Sequence, residues 1–384
     1  MGVRAHLFSL LIVCLSTTCM AQGLVHTTAS LSEARHALST TTAGTKALFA
    51  GGIRSASDYF SDVVDIYDSQ TGLWAAATLP QARYSMGATS IGETAIFAGG
   101  CTGELPNMEW LMSDRVDFYN TQTGQWSTAS LSLARSGLGA ATVGTKVMFA
   151  GGCIDHHNDS NVVDIYDTAT EQWTTAALSQ ARSLPLTTTV GNKVIFAGGI
   201  INWWDDTPSN VVDIYDAVTG QWSTASLPNV RTSMSVTTVG NKVFLAGGRD
   251  ANSTLCNIVD IYDAETDTWS SATLSQARYG LAGTSLGNLA LFGGGHLRYA
   301  GHLSDVLDLY DATTNTWSTG ESLSVARAYP VATTVGQQAI FAGGYTGSDW
   351  LPSNVVDIYT VPEPSMLTLI VAGAVGLLNR RRKL

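Results

Sequence analysis

The sequence predicts an all-β fold in which seven copies of a four-stranded unit close into a ring. Composition is the first reason: of 384 residues, 45% are apolar, only 13% are charged and 38 are glycine. Thr, Ser, Val and Ala are abundant, which suits strands and tight turns rather than amphipathic helices. The second is that landmark residues recur in fixed order along the chain. The third is that the chain opens with a fragment of a unit and closes on a unit lacking that fragment.

The landmarks define the unit. An Ala-Arg or Val-Arg pair supplies Arg35, Arg83, Arg135, Arg182, Arg231, Arg278 and Arg327, spaced 47 to 52 residues apart. A Phe-Ala-Gly-Gly-like element follows, with glycine pairs beginning at Gly51, Gly99, Gly151, Gly198, Gly247, Gly294 and Gly343. A Val-Val-Asp-Ile-Tyr-like element then gives Tyr67, Tyr119, Tyr166, Tyr215, Tyr262, Tyr310 and Tyr359. The last landmark is tryptophan, at Trp74, Trp126, Trp173, Trp222, Trp269 and Trp317, and it occurs only six times. Between landmarks each unit holds four short runs bounded by turn residues, such as "LSTTTA", "TKALFA", "VVDIYD" and "LWAAATL", which read as an antiparallel meander. The missing seventh element lies at the other end of the chain. "HTTASLSEAR" (His26 to Arg35) aligns without gaps on "WSTASLSLAR" (Trp126 to Arg135). Residues 24–32 are therefore predicted to pair with 353–360 and complete the last unit, removing the two free ends of the array. His26 takes the tryptophan slot, as a tolerated substitution rather than a functional histidine.

A period near fifty, a double glycine, then tyrosine, then tryptophan resembles the kelch repeat over residues 24–360. The resemblance implies an all-β, seven-bladed kelch-type β-propeller, one blade per repeat, with the seventh blade closed by the N-terminal strand. Signal and tail helices are expected to flank it.

What every blade shares is scaffold. The glycine pairs permit positive φ where the second strand leaves the sheet, and the tyrosines and tryptophans are large enough to fill the space between blades. The strand aspartates Asp65, Asp117, Asp164, Asp213, Asp260, Asp308 and Asp357 would be costly there unless paired. Their basic counterpart in every unit is the repeated arginine, so Arg–Asp pairing is expected.

What does not repeat gathers in the loops between the glycine pair and the third strand. These carry Tyr59; Trp110 in "CTGELPNMEWLMSD"; His156 and His157 in "CIDHHNDSN"; and Trp203, Trp204 and Asp205 in "INWWDDTPSN". Further along are Arg249; His296, Arg298, Tyr299 and His302 in "HLRYAGHLSD"; and Tyr345 and Trp350. In a meander these loops share a face with the inter-blade loops, so the variable chemistry is predicted to converge on one rim. Aromatic rings beside Asp, Asn, His and Arg suit sugars or extended polymers, although mid-length loops can also fold their tryptophans back onto the blade below. The histidine loop offers nitrogen and oxygen donors, but adjacent histidines rarely point the same way and no metal-ligand spacing is present, so a solvated loop is expected. His296 and His302 could approach a common point.

No catalytic residue, metal or cofactor is assigned. Kelch propellers include copper-radical oxidases resembling galactose oxidase, which need two histidines, a tyrosine ligand and a tyrosine crosslinked to cysteine. The residue types are here, but not a matching motif. A sugar mutarotase is a second enzymatic possibility, and a structural surface protein without a ligand a non-enzymatic one. No Gly-x-Ser-x-Gly, phosphate loop or His-Glu-x-x-His occurs.

The ends read as export signals. Residues 1–21 resemble a signal peptide, with Arg4, an apolar Leu7–Leu15 core and a Cys19-Met20-Ala21 cleavage site. The propeller is assigned to 22–360 and a sorting tail to 361–384. In the tail, Pro362, Glu363 and Pro364 precede an apolar run and a basic cluster that includes Arg380, Arg381 and Arg382. This order resembles the PEP-CTERM sorting signal. It implies an exosortase-type processing enzyme as partner, a tail held in the membrane before processing, and a product at the cell surface or outside the cell. A plain membrane anchor is the alternative, although Met366 to Leu378 is only 13 residues, short for a core about 30 Å thick. An extracellular polysaccharide or a surface protein is the expected further partner. The net charge of −11, about −15 without leader and tail, repels phosphate backbones and argues against nucleic acid. Three cysteines outlast the leader, Cys101, Cys153 and Cys256, an odd count at irregular spacing that is no disulfide framework.

Overall fold

The computed structural model describes residues 23–54, 60–104, 110–202, 206–298, 301–347 and 349–362. The leader, the tail beyond Pro362 and the helices expected in them lie outside these residues. Among the described residues, no helix is long and apolar enough to cross a membrane.

Val25–Thr360 form a seven-bladed β-propeller of four-stranded antiparallel sheets. Blade 1 shows the plan: Ser39–Ala43 runs along the central channel, followed outward by Lys46–Ala50, Val63–Asp68 and Trp74–Thr78. The first strands of successive blades pack side by side, and that of blade 7 (Val331–Val335) packs against that of blade 1, so the ring is closed. Threonine serves this inner ring. Thr42 Oγ1 meets Thr333 Oγ1 at 2.9 Å between blades 1 and 7, Thr89 meets Thr142 at 3.0 Å, and Thr188 meets Thr238 at 2.8 Å. A β-branched hydroxyl residue both suits a strand and supplies the bond between sheets, which accounts for the threonine-rich first runs.

The expected closure forms. Val25–Ser30 pairs antiparallel with Val355–Thr360, from Val25 opposite Thr360 to Ser30 opposite Val355. His26 lies opposite Tyr359, as Trp74 lies opposite Tyr67 in blade 1. Its ring stacks on Tyr359 with centroids 4.5 Å apart, and its Nε2 also reaches Asp357 Oδ1 at 2.7 Å, a bond beyond the stacking that tryptophan makes in that slot. The aromatic pairs fill the inter-blade space: Tyr67 and Trp74 pack with Ile340, Val356 and Ile358 of blade 7, and Tyr119 and Trp126 pack on blade 1.

Every repeated arginine pairs with the aspartate of its own blade. Among these pairs are Arg182–Asp213 at 2.7 Å and Arg327–Asp357 at 2.6 Å, and all seven arginines are buried to 1% exposure or less. The guanidinium does more than neutralise: Arg35 Nη1 donates to the carbonyls of Gly51 and Val63, each at 2.8 Å. Outside blade 2, where Asp117 Oδ1 accepts Arg115 Nε of its own strand, the second carboxylate oxygen holds the loop arriving from the previous blade, as when Asp65 Oδ1 accepts the Ser32 N–H at 3.0 Å. Each such pair thus ties a blade to the loop that enters it. The glycine pairs sit beneath this clamp. A Cβ on Gly51, at φ 62°, would lie 2.2 Å from the Arg83 carbonyl oxygen.

Candidate functional site

Two sets of variable residues meet at one channel mouth. The residue after each glycine pair bridges to the residue after the repeated arginine, as in Ile53–His36, Cys101–Tyr84, Arg249–Thr232, His296–Tyr279 and Tyr345–Ala328. The next residue in each inter-blade loop is left-handed: Ala37, Ser85, Gly137, Leu184, Ser233, Gly280 and Tyr329 have φ of 47° to 63°. That conformation turns the chain into the first strand and aims the N–H at the preceding blade. The Gly137, Leu184, Gly280 and Tyr329 amides donate to Ser85, Gly137, Ser233 and Gly280 at 2.7–2.9 Å. Between blades 1 and 4 the mouth opens into a cavity of about 350 Å³ lined by residues such as Leu38, Met86, Leu138 and Leu186.

The mouth is chemically lopsided. On blades 2 to 4 the bridging pairs are Tyr84–Cys101, Ser136–Cys153 and Ser183–Ile200. On blades 6 and 7 they are Tyr279–His296 and Ala328–Tyr345. Buried His296 stacks on Tyr279 with centroids 4.6 Å apart, and its Nε2 meets the Tyr345 hydroxyl at 3.0 Å. Trp350 lies 4.5 Å from Tyr345 and 5.3 Å from His296, Tyr329 lies 5.6 Å from Tyr345, and His36 of blade 1 meets Tyr345 edge-on at 5.6 Å. The Arg249 guanidinium sits 5.1 Å over the Tyr279 ring and pairs with Asp206.

Burial sets the protonation states here. It lowers His36, and together with Arg249 it lowers His296, so both imidazoles are neutral at neutral pH. Burial, with Tyr329 and Tyr279 nearby, raises the Tyr345 phenol well above its ordinary value. The protonated phenol and the neutral imidazole share the Tyr345–His296 hydrogen bond, its direction set by the histidine tautomer. The cluster is therefore uncharged except for Arg249, itself matched by Asp206.

The other expected residues divide. Trp110 folds onto His156, with ring centroids 4.0 Å apart across blades 2 and 3. Asp155 Oδ1 accepts the amides of His157 and Asn158 at 2.8 and 2.9 Å, so the histidine loop is a tight turn that leaves His157 exposed. Arg298 and His302 are exposed, and His302 parts from buried His296. Among the described residues, no three His, Cys, Asp or Glu side chains stand close enough to hold a metal ion. Cys101, Cys153 and Cys256 are free, and burial pushes the Cys153 thiol up to about 11. Tyr59, Trp203, Trp204, Asp205 and Tyr299 lie outside the described residues, as do Glu363, Pro364 and Arg380 to Arg382 of the sorting signal.

Sequence reading missed the inter-blade half of the mouth: His36, Tyr84, Tyr279 and Tyr329. The signal was present. The two positions after each repeated arginine change from blade to blade while their neighbours repeat.

Burial pushes the Asp159 carboxyl up to about 6, against a hydrogen bond with Ser183 that lowers it and with Asp155 adding to the rise. An acid raised above its unfolded value costs stability in full above the folded value, and the cost shrinks as pH falls from there toward the unfolded value. Asp159→Asn should therefore raise the thermal midpoint at about pH 8 and lose most of that advantage by about pH 4. Melting curves at both pH values check this.

The sequence matches the Kelch motif at residues 134–177, 181–226 and 231–273, which are blades 3, 4 and 5. The chain is a seven-bladed β-propeller that carries Kelch motifs. Its C-terminus matches a PEP-CTERM protein-sorting motif at residues 360–383, so this kelch propeller is an exported protein whose tail engages the membrane and an exosortase-type processing enzyme. No curated protein matches the chain. The kelch matches stop short of the aromatic side of the mouth, which belongs to blades 6, 7 and 1.

Proposed function

We propose that this exported kelch propeller is a binding module at the cell surface or outside the cell, holding a glycan or a surface protein through the loop rim at the channel mouth. One observation carries the reading. On a scaffold whose blades share one plan, the largest cluster of aromatic and hydrogen-bonding side chains among the described mouth residues stands at blades 6 and 7, with Trp350 47% and Tyr329 36% exposed. Aromatics that served only to fill space between blades would be covered, as Tyr67 and Tyr359 are. A glycan array probed with the purified exported protein tests it. Retention of a defined class of glycan is the expected result; an array blank at every concentration, together with no captured surface protein, would leave a structural role.

A small-molecule enzyme on the same face is the second reading, favoured by the two histidines, His36 and His296, that both meet Tyr345. Against it, the bridged Tyr84–Cys101 pair stands on blade 2, apart from Tyr279, His296 and Tyr345 on blades 6 and 7. Stoichiometric copper in the purified protein would favour the enzyme.

A further inference from the structure

We propose that the shelf made by Tyr329 and Trp350 over Tyr345 and His296 is the subsite that takes an uncharged pyranose ring, stacked on the exposed aromatic faces. The inference rests on the binding reading above and names its ligand class and its residues.

Backbone strain is the first argument. Both exposed rings sit on left-handed residues, Tyr329 at φ 47° and Trp350 at φ 56°, where bulky side chains are rare and glycine would be relaxed. At the position of Tyr329, other blades carry glycine at Gly137 and Gly280, small Ala37, Ser85 and Ser233, and one other large residue, Leu184, which has no ring. A large ring held at a strained backbone, and still 36% exposed, gains little for folding, and such strain concentrates at sites of function.

Neighbouring residues make room for the ring and hold it. A Cβ on Gly280 would lie 2.8 Å from the Tyr329 ring, so the phenol of blade 7 rests on the bare backbone of blade 6. Its hydroxyl comes 3.4 Å from Ser233 Oγ on blade 5. Trp350 is wedged from below by Tyr345 and His296. Two apolar faces fixed before a ligand arrives lower the cost of ordering on binding.

Charge selects the ligand. The cationic Arg249 beside the shelf is matched by Asp206, Asp349 adjoins Trp350 in the chain, and the whole molecule carries −11. Polyuronates, phosphates and sulfated chains meet a repulsive field. A neutral sugar offers what remains: C–H faces for the rings and hydroxyls for phenol, serine and carboxylate.

The test uses the full-length exported protein and its Tyr329→Gly, Trp350→Gly and Leu184→Gly variants, the last relieving a left-handed residue on the opposite side of the mouth. Probes are a soluble neutral glucan, a mannan, a polyuronate and a basic peptide. Tyr329→Gly and Trp350→Gly should each weaken neutral-glycan binding by about tenfold or more with a thermal midpoint equal to or above that of the parent. Leu184→Gly should bind as the parent does. Parental affinity in both shelf variants would overturn the proposal while leaving the binding reading intact, as would a fall in both midpoints, which would make the rings packing elements. A preference for polyuronate or peptide would overturn the ligand class. Failure of the parent to bind any glycan would sink the glycan reading itself.

Discussion

A chain lacking residues 23–32 should fail to form the closed ring, even though most of each blade is untouched. Those residues supply the six-residue strand Val25–Ser30 and its pairing with Val355–Thr360, the Leu31 amide bond to the Asn354 carbonyl at 2.7 Å, and Leu31 itself, 2% exposed in the interface of blades 7 and 1. Losing one buried leucine costs about 2–5 kcal/mol. The lost ladder and the bared face of Tyr359 add to that, against a total domain stability of about 5–15 kcal/mol. Circular dichroism melts should show a broad, low transition, and size-exclusion chromatography should show association through the freed edge of Val355–Thr360. A synthetic peptide of residues 23–34 should restore the sharp transition in trans. A truncated chain that melts like the parent would mean that the clasp is dispensable.

Breaking one buried ion pair should be nearly as damaging. Arg135 donates to Asp164 and to the carbonyls of Gly151 and Val162 at 2.8 and 2.6 Å, while Asp164 Oδ1 accepts the Ser132 amide at 3.0 Å. Asp164→Ala leaves a guanidinium buried without its counter-charge, a loss of about 3–5 kcal/mol. Replacing both partners by apolar residues, Arg135→Met with Asp164→Leu, should recover part of this, because the pair itself is worth less than the penalty of orphaning one member. The residue left unrecovered measures what the arginine does for the carbonyls and the aspartate for the incoming loop. Denaturant melts of the single and double variants give all three numbers. If Asp164→Ala costs less than about 1 kcal/mol, the range of exposed pairs, the clamp is not structural.

Much of the ring was legible in the sequence because each blade solves the same problem with the same residues. The Arg–Asp pairing followed from counting charges that had nowhere else to go, and the closure from aligning His26–Arg35 on Trp126–Arg135. The site was only half legible. The loops after the glycine pairs were noticed because they are long and rich in tryptophan, whereas Tyr279 and Tyr329 sit in inter-blade loops whose flanks are nearly invariant, so two changed side chains read as noise within a repeat. What gives them meaning is the left-handed turn after each arginine, a backbone property with no fixed residue signature: Ala, Ser, Gly, Leu and Tyr all adopt it here. His156 and His157 stood out in the sequence and parted in space, because Asp155 folds their loop into a turn stabilised by its own amides.

The register of the clasp bears on how the molecule answers mechanical load. Val25 is the partner of Thr360, so the first and last residues of the ring emerge at the same corner. Tension between them would peel the two strands one pair at a time, beginning at that corner, instead of shearing six pairs together. The propeller should therefore resist being squeezed or sheared across its blades, yet part at a small force when drawn by its own ends.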